Sequence, residues 1–73
     1  MKTLRDIPVG SECTVTRLHT TGPLKRRLLD MGITKGVTIK VNKVAPLGDP
    51  LEVTLRGYQL SLRKDEASRI EVA

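Results

Sequence analysis

The residue types best suited to catalysis or metal binding occur only once each. Cys13 is the single cysteine and His19 the single histidine of the 73-residue chain. A metal site needs several such ligands at set spacings, and no Cys-x-x-Cys or His-x-x-x-His pair can be formed. A Cys13–His19 nucleophile pair is conceivable, but a chain of this size cannot enclose a water-excluding pocket around it. We therefore expect structural or neutral roles for both residues.

The remaining residue types do not supply a catalytic site either. The carboxylates are scattered, and Asp65–Glu66 is expected to be a solvated face of a short helical turn rather than an acid–base pair. The sequence contains no Gly-x-x-x-x-Gly-Lys-Ser/Thr loop, so the chain does not hydrolyse a nucleoside triphosphate by that route. These observations predict a protein that is not an enzyme and that has no cofactor and no metal site.

Charge and aromatic content limit the classes of partner. The chain has 13 basic and 8 acidic residues, a formal net charge of +5. This charge favours nucleic acid, anionic lipid or an acidic protein without choosing among them. Tyr58 is the only aromatic side chain. Stacking platforms for single-stranded nucleic acid and grooves for proline-rich peptides need several aromatic faces, so neither can be built.

Cysteine usage and hydropathy indicate the cytoplasm. A single cysteine cannot form an internal disulfide, which fits a reducing compartment. No apolar run approaches the length of a transmembrane helix or of a signal-peptide core. We expect a cytoplasmic protein without direct membrane insertion, which a partner could recruit to the inner face of the membrane.

The stretch 22–36, GPLKRRLLDMGITKG, is the only segment with helical periodicity. Its apolar residues recur at i, i+4 and i+7 and form one stripe, made of Leu24, Leu28 and Met31. Pro23 suits a first helical position, and Gly32 can take the left-handed conformation that ends a helix. The pattern predicts one helix, Pro23 to Met31, set into a β domain.

The same helix carries three consecutive cations and a leucine that lies off the apolar stripe. Lys25, Arg26 and Arg27 lie toward the helix N-terminus, where the macrodipole disfavours each positive charge by about 0.3–1 kcal/mol. Leu29 falls between Lys25 and Arg26 on a helical wheel. Either the cations form a solvated face and Leu29 packs on a second wall of the domain, or Leu29 is an exposed anchor in a basic, partner-binding patch.

Short strands account for most of the remaining chain. Alternating apolar and polar residues, with Val and Thr enriched, are typical of half-buried strands. The predicted strands are Cys13–Leu18, Val37–Val44, Leu51–Leu55, one beginning at Tyr58, and Ile70–Val72. A helical turn at Lys64–Ser68 is expected between the last two.

The alternation also predicts which side chains share a face. Arg17 is expected on the same face as Cys13 and Val15 of the first strand. Tyr58 is expected on the inner face of the fourth strand. Leu4, Ile7 and Val9 are expected to be the packed residues of the first ten.

Five short strands with one inserted helix predict a single, mainly β domain over residues 1–73. We expect a strongly bent sheet that closes into a small SH3-like barrel, with an OB-like barrel as the alternative. Closure removes the exposed edges that a flat sheet would present. An edge that is left unpaired could join a second copy in a homo-oligomer.

The turn 45–50, APLGDP, interrupts the strands with two prolines and a glycine. These residues enforce a tight corner. The turn also carries Leu47 at its tip, where an exposed apolar side chain can mark an interaction site. Both interpretations stay open from the sequence.

Three blocks of the sequence together resemble a known family. The blocks are LKRRLLDMGITKG, VAPLGDPLEV and LSLRKDEASRIEV, and in order and spacing they resemble the FeoA family, the small cytosolic component of bacterial ferrous iron transport. The resemblance covers essentially the whole chain. It implies an SH3-like barrel with a short helix and, as partner, the FeoB membrane transporter, whose cytosolic part contains a GTP-binding domain.

The resemblance and the helix pattern together mark candidate contact residues. Most family positions are glycines, prolines or core leucines with structural roles. The candidates for contacts outside the fold are Lys25, Arg26, Arg27, Leu29, Leu47 and Arg63. The resemblance implies an accessory or regulatory interaction module of ferrous iron uptake that docks on the cytosolic GTPase part of FeoB, and the chain itself lacks a credible iron site.

Two other functions are compatible with the sequence. A small basic barrel that binds nucleic acid is the main alternative, supported by the net charge but not by a dense Lys/Arg stripe or by aromatic residues. A metal-dependent sensor is the third, because barrels of this type also occur in metal-responsive repressors. The chain offers no DNA-reading helix and no ligand cluster for that role.

Overall fold

Alternating Val, Ile and Leu residues form the centre of a five-stranded antiparallel sheet. The computed structural model describes residues 1–73. The strands are β1 (Glu12–Leu18), β2 (Thr38–Val44), β3 (Leu51–Leu55), β4 (Tyr58–Leu62) and β5 (Ile70–Val72). They lie in the order β4-β3-β2-β1-β5. The mainly β prediction is confirmed, and β1 and β2 each differ from the predicted strand only in the first residue.

The sheet wraps around its core because β1 changes partners along its length. Its first half pairs with β2, with Cys13 opposite Ile39, and its second half pairs with β5, with Leu18 opposite Ile70. The edge strands β4 and β5 are joined by the short helix α2 (Lys64–Ala67). β4 pairs only with β3, so its other edge is unpaired. A homo-oligomer formed through that edge stays a prediction.

The predicted helix is present with its ends shifted by one residue. Helix α1 spans Gly22–Asp30 rather than Pro23 to Met31. Met31 is the C-cap, and its N–H donates to the Arg27 carbonyl at 3.1 Å. The predicted left-handed glycine is confirmed, since Gly32 has φ +91°. None of the helices has the length and apolar content needed to cross a membrane.

Two predicted placements are wrong, each for a local reason. Arg17 is exposed because the register of β1 against β5 shifts between Val15 and Arg17, and such a bulge turns the following side chain. Val9 is exposed in the turn before Gly10, while Leu4, which begins the 3₁₀ helix Leu4–Asp6, and Ile7 are buried as predicted.

Tyr58 lies on the predicted inner face, since it pairs with the buried Leu55 of β3, but at the end of its strand it is 44% exposed. It begins β4 directly after the Arg56–Gly57 turn, and its hydroxyl donates to the carbonyl of Met31. The tyrosine therefore links the strand to the end of α1 at the edge of the core.

Helix α1 reaches the core mainly through one side chain. Leu28 is fully buried, whereas the other members of the predicted stripe, Leu24 and Met31, are only partly buried against the core. The Ile33 N–H donates to the Leu28 carbonyl at 3.0 Å, and the Ile33 side chain is buried. The chain is thus held to the barrel at both Leu28 and Ile33, and the opposite side of α1 is left toward solvent.

Candidate functional site

A buried carboxylate fixes the inner side of α1. Glu66 lies in α2 and is 5% exposed. Its Oε2 is 2.8 Å from Arg27 Nη1, and its Oε1 accepts the N–H of Arg63 at 2.8 Å. The expectation that Glu66 belongs to a solvated face is wrong, because this one side chain both caps α2 and pairs with α1. Its neighbour Asp65 is exposed as expected.

The outer side of α1 has no such partners. We call Lys25, Arg26 and Leu29 the outer face. The two cations take part in none of the ion pairs of the structure. Leu29 is 42% exposed, so it does not pack on a second wall of the barrel. Of the two arrangements that the sequence allows for Leu29, packed or exposed, the structure has the exposed one.

The start of α1 adds to the positive potential of this region. Thr21 is the N-cap but its side chain makes no capping hydrogen bond, and the first turn contains no acidic residue. The free N–H groups of the first turn and the positive end of the helix dipole are therefore not neutralised from within the helix.

An open cleft of about 950 Å³ lies beside α1, between the end of β1 and the segments that precede β2 and β5. Its cations are Arg17, Lys25, Lys35 and Arg69. Two leucines, Leu18 and Leu29, also line it, and no carboxylate does. We call this feature the basic cleft; it shares Lys25 and Leu29 with the outer face.

The carboxylate of Glu71, near the wall of this cleft, is already engaged. Glu71 accepts a hydrogen bond from Thr16 Oγ1 at 3.3 Å and contacts the His19 ring nitrogen through its other oxygen. The His19 contact is the main cause that lowers the pKa of Glu71 below the usual range of a carboxyl group. Glu71 therefore stays anionic while it holds His19 at the wall of the cleft.

The structure does not bring Cys13 and His19 together. They lie six residues apart along one extended segment, which corresponds to roughly 20 Å. Cys13 is buried, its thiol donates to the Ile39 carbonyl at 3.7 Å, and burial raises its pKa. No group of three or more His, Cys, Asp or Glu side chains is arranged so that it could hold a metal ion.

The predicted contact residues fall in three places. Lys25, Arg26 and Leu29 share the outer face, whereas Arg27 and Arg63 meet at the α1–α2 junction around Glu66. Leu47 is 91% exposed at the tip of the turn 45–50. That turn is also a tight corner, since the Gly48 N–H donates to the Ala45 carbonyl at 2.7 Å.

Sequence reasoning did not find three cations of the basic cleft, Arg17, Lys35 and Arg69. They come from segments far apart in the sequence, so no spacing marks them. Arg17 enters the cleft only because of the bulge in β1. The net charge of +5 was the one available signal.

Sequence comparisons give a consistent set of relatives. The FeoA domain model matches residues 2–73. A curated relative from Porphyromonas gingivalis, an Fe(2+) transport protein A/Fe(2+) transporter FeoB fusion protein, is 36% identical over 69 residues. The match covers 94% of this chain but only 8% of that protein.

Structural comparisons agree with the sequence matches. The NMR structure of a FeoA-like protein from Clostridium acetobutylicum has a TM-score of 0.91 and 39% identity, covering 99% of this chain and 84% of that one. The zinc complex of Stenotrophomonas maltophilia FeoA, described as an SH3 domain protein, has a TM-score of 0.81 and 30% identity, covering 100% and 91%. The SH3-like prediction is confirmed, and the OB-like alternative is not needed.

Proposed function

The chain belongs to the FeoA domain family, and we propose that it is an accessory module of ferrous iron transport that docks on the cytosolic GTP-binding part of a FeoB-type transporter. The docking surface in this proposal is the outer face of α1. The module acts at the cytoplasmic side of the membrane, where it is recruited by that partner.

The observation that carries the proposal is the composition and exposure of the outer face. Leu29 is a half-exposed leucine beside two cations, Lys25 and Arg26, that have no acidic partner within the chain. An apolar anchor that becomes buried gives affinity, and flanking charges speed and orient the encounter with an acidic surface. The inner side of α1 is fixed by Leu28 and Arg27, so the face is presented without first having to be ordered.

The comparison with Porphyromonas gingivalis supports the choice of partner. In that protein a region similar to this chain is part of one polypeptide with a FeoB transporter. Fusion keeps two domains at high effective concentration, which favours even a weak contact between them. A separate chain needs a docking surface of its own to achieve the same association.

The test is a calorimetric titration of the chain against the purified cytosolic part of FeoB from the same organism. Leu29→Asp should weaken binding by about tenfold or more, because an apolar anchor is replaced by a charge that repels the same acidic surface. Leu47→Asp is the matched control, since it makes the same change at another exposed leucine, and it should alter binding by less than about twofold. Circular dichroism and thermal unfolding check that both variants are folded.

Two results would contradict the proposal. If both folded variants bind as the wild type does, the outer face is not the docking surface. If Leu47→Asp abolishes binding and Leu29→Asp does not, the turn 45–50 takes that role. The rate of GTP hydrolysis by FeoB, measured with and without the chain, then reports whether docking changes the transporter.

A further inference from the structure

We infer that the basic cleft beside α1 binds an acidic peptide segment of the partner protein, with an apolar side chain of that segment lying against Leu18 and Leu29. The inference deepens the proposed function and rests on it, because the segment is assigned to the transporter that docks on the outer face. It names the chemistry of the partner and a second group of contacts beyond α1.

The cations of the cleft come from four different parts of the chain. Arg17 comes from β1, Lys25 from α1, Lys35 from the turn before β2, and Arg69 from the turn before β5. Four charges on four separate elements around an opening of about 950 Å³ match a ligand with several anionic groups along its length.

Most of these charges are available to a ligand. Arg17, Lys25 and Lys35 take part in no ion pair of the structure. Arg69 lies 3.9 Å from Asp65, but both side chains are largely exposed, so that pair is easily exchanged for another partner. Glu71 lies opposite Arg17 in the β1–β5 pairing, so its charge partly offsets that cation, but its oxygens are hydrogen-bonded to His19 and Thr16 and form no ion pair with Arg17.

The lining favours a protein segment over nucleic acid or lipid. No Phe, Trp or Tyr lines the cleft, since Tyr58 contacts Met31 instead, and its one ring, His19, is held by Glu71, so bases would not find the several stacking surfaces that they need. The two leucines offer apolar contact that a sugar-phosphate backbone would leave unused. A flat bilayer surface cannot enter a concave site, whereas a flexible acidic segment can.

The cleft is also continuous with the outer face. Lys25 and Leu29 belong to both surfaces. A protein that covers Leu29 therefore brings its neighbouring chain to the opening of the cleft. Once one of the two adjoining contacts has formed, the other forms at high effective concentration, so the two together bind more tightly than either alone.

The test uses a fluorescein-labelled synthetic peptide of glutamate, aspartate and leucine, with fluorescence anisotropy as the readout. The double variant Arg17→Glu/Lys35→Glu leaves the outer face intact and should weaken peptide binding by about tenfold or more. The control Lys2→Glu/Arg5→Glu makes the same change of charge at exposed residues away from the cleft, and it should alter binding by less than about twofold. A peptide with serine in place of every acidic residue should not bind.

Three results would overturn the inference. The first is no binding of the acidic peptide at low salt, and the second is equal loss of binding in the cleft variant and its control. The third is a labelled oligonucleotide that competes the peptide away and binds more tightly through the same residues, which would make the cleft a nucleic-acid site.

The same variants separate this inference from the proposed function. If the cytosolic part of FeoB binds the wild type and Arg17→Glu/Lys35→Glu equally well, docking on the outer face stands and the cleft assignment fails. If the peptide binds as expected but the cytosolic part of FeoB does not bind at all, the cleft chemistry stands and the assigned partner is wrong. If the cleft variant binds both the peptide and the cytosolic part of FeoB more weakly, the result supports the proposed function and the cleft assignment together.

Discussion

The two long sides of α1 differ in what their side chains contact. On the inner side, Leu28 is fully buried, Arg27 pairs with Glu66 of α2, and the carbonyl of Met31 accepts the hydroxyl of Tyr58. On the outer face the two cations have no partner and Leu29 is half-exposed. One helix of nine residues therefore carries two sets of side chains with different consequences for the molecule.

The inner side of α1 should matter for the stability of the fold, and the outer face for binding a partner. The inner contacts join α1 to three other parts of the chain, so their loss should be felt in unfolding. Lys25 lies in the first turn of α1, where a positive charge opposes the helix dipole at about 0.3–1 kcal/mol, whereas Arg26 is the middle residue of the helix. Helix stability therefore does not explain the position of Lys25.

Truncation of the two adjacent leucines should give the largest contrast. Leu28→Ala removes a fully buried side chain and should lower the free energy of unfolding by about 2–5 kcal/mol. Leu29→Ala removes a side chain that is 42% exposed and should cost about 1 kcal/mol or less. Urea unfolding followed by circular dichroism measures both. Equal losses would mean that the two sides of α1 are not distinct.

The loop that ends α1 should give the next largest effect. Gly32 has φ +91°, and a Cβ built there lies 2.5 Å from the Tyr58 hydroxyl oxygen. Gly32→Ala should therefore lower the free energy of unfolding by about 2–3 kcal/mol, through left-handed strain and the displaced tyrosine hydrogen bond.

Gly36→Ala is the matched control for that substitution. Gly36 has φ +92° but open space around its Cβ position, so only the strain of about 1–2 kcal/mol should remain. Chemical unfolding of the two variants side by side isolates the contact with Tyr58. If Gly36→Ala costs as much as Gly32→Ala, that contact does not help to hold α1.

The features predicted from the sequence are those set by neighbouring residues. Alternation defines the strand Leu51–Leu55 because its side chains point to opposite faces in turn. Gly32 marks the end of α1 because a glycine readily takes a left-handed conformation. The sequence left open whether Leu29 is exposed or packed, because a helical wheel does not show which other parts of the domain lie beside the helix.

The features missed from the sequence depend on residues that meet only in the folded chain. Glu66 looked solvated because its partner Arg27 lies in the other helix. Arg17 looked inward because strict alternation does not foresee a bulge. The basic cleft combines both problems, since its cations come from four separate elements and one of them is turned outward by that bulge.

The contact between His19 and Glu71 at the wall of the basic cleft should make the free energy of unfolding depend on pH. The effect should be smaller than that of the glycine substitutions. The folded-state pKa of Glu71 is lowered, chiefly by its hydrogen bond to His19. A lowered pKa contributes stability that is present above the unfolded-state value of about 4.3 and is lost as the pH falls through the folded-state value. The wild type should thus exceed Glu71→Gln in stability at neutral pH, and the gap should shrink below about pH 4.

Urea midpoints at constant ionic strength, from about pH 7 to pH 3, measure this gap. Asp6 also has a lowered pKa, because it accepts hydrogen bonds from Thr3, but it titrates in both proteins and cancels in the comparison. A gap that does not change with pH would mean that Glu71 does not hold the wall through its charge.

The smallest expected effect is also the most specific to the outer face, because stability and binding should move in opposite directions. Lys25→Glu places a negative charge in the first turn of α1, which has no acidic residue. It should raise the free energy of unfolding by about 0.3–1 kcal/mol, with Lys25→Gln giving a smaller gain, and added salt should reduce both gains. The same substitution should weaken binding to the cytosolic part of FeoB, since Lys25 lies on both the outer face and the basic cleft. If Lys25→Glu destabilises the fold, the lysine stabilises α1 after all, and the division between an inner side for folding and an outer face for binding no longer holds.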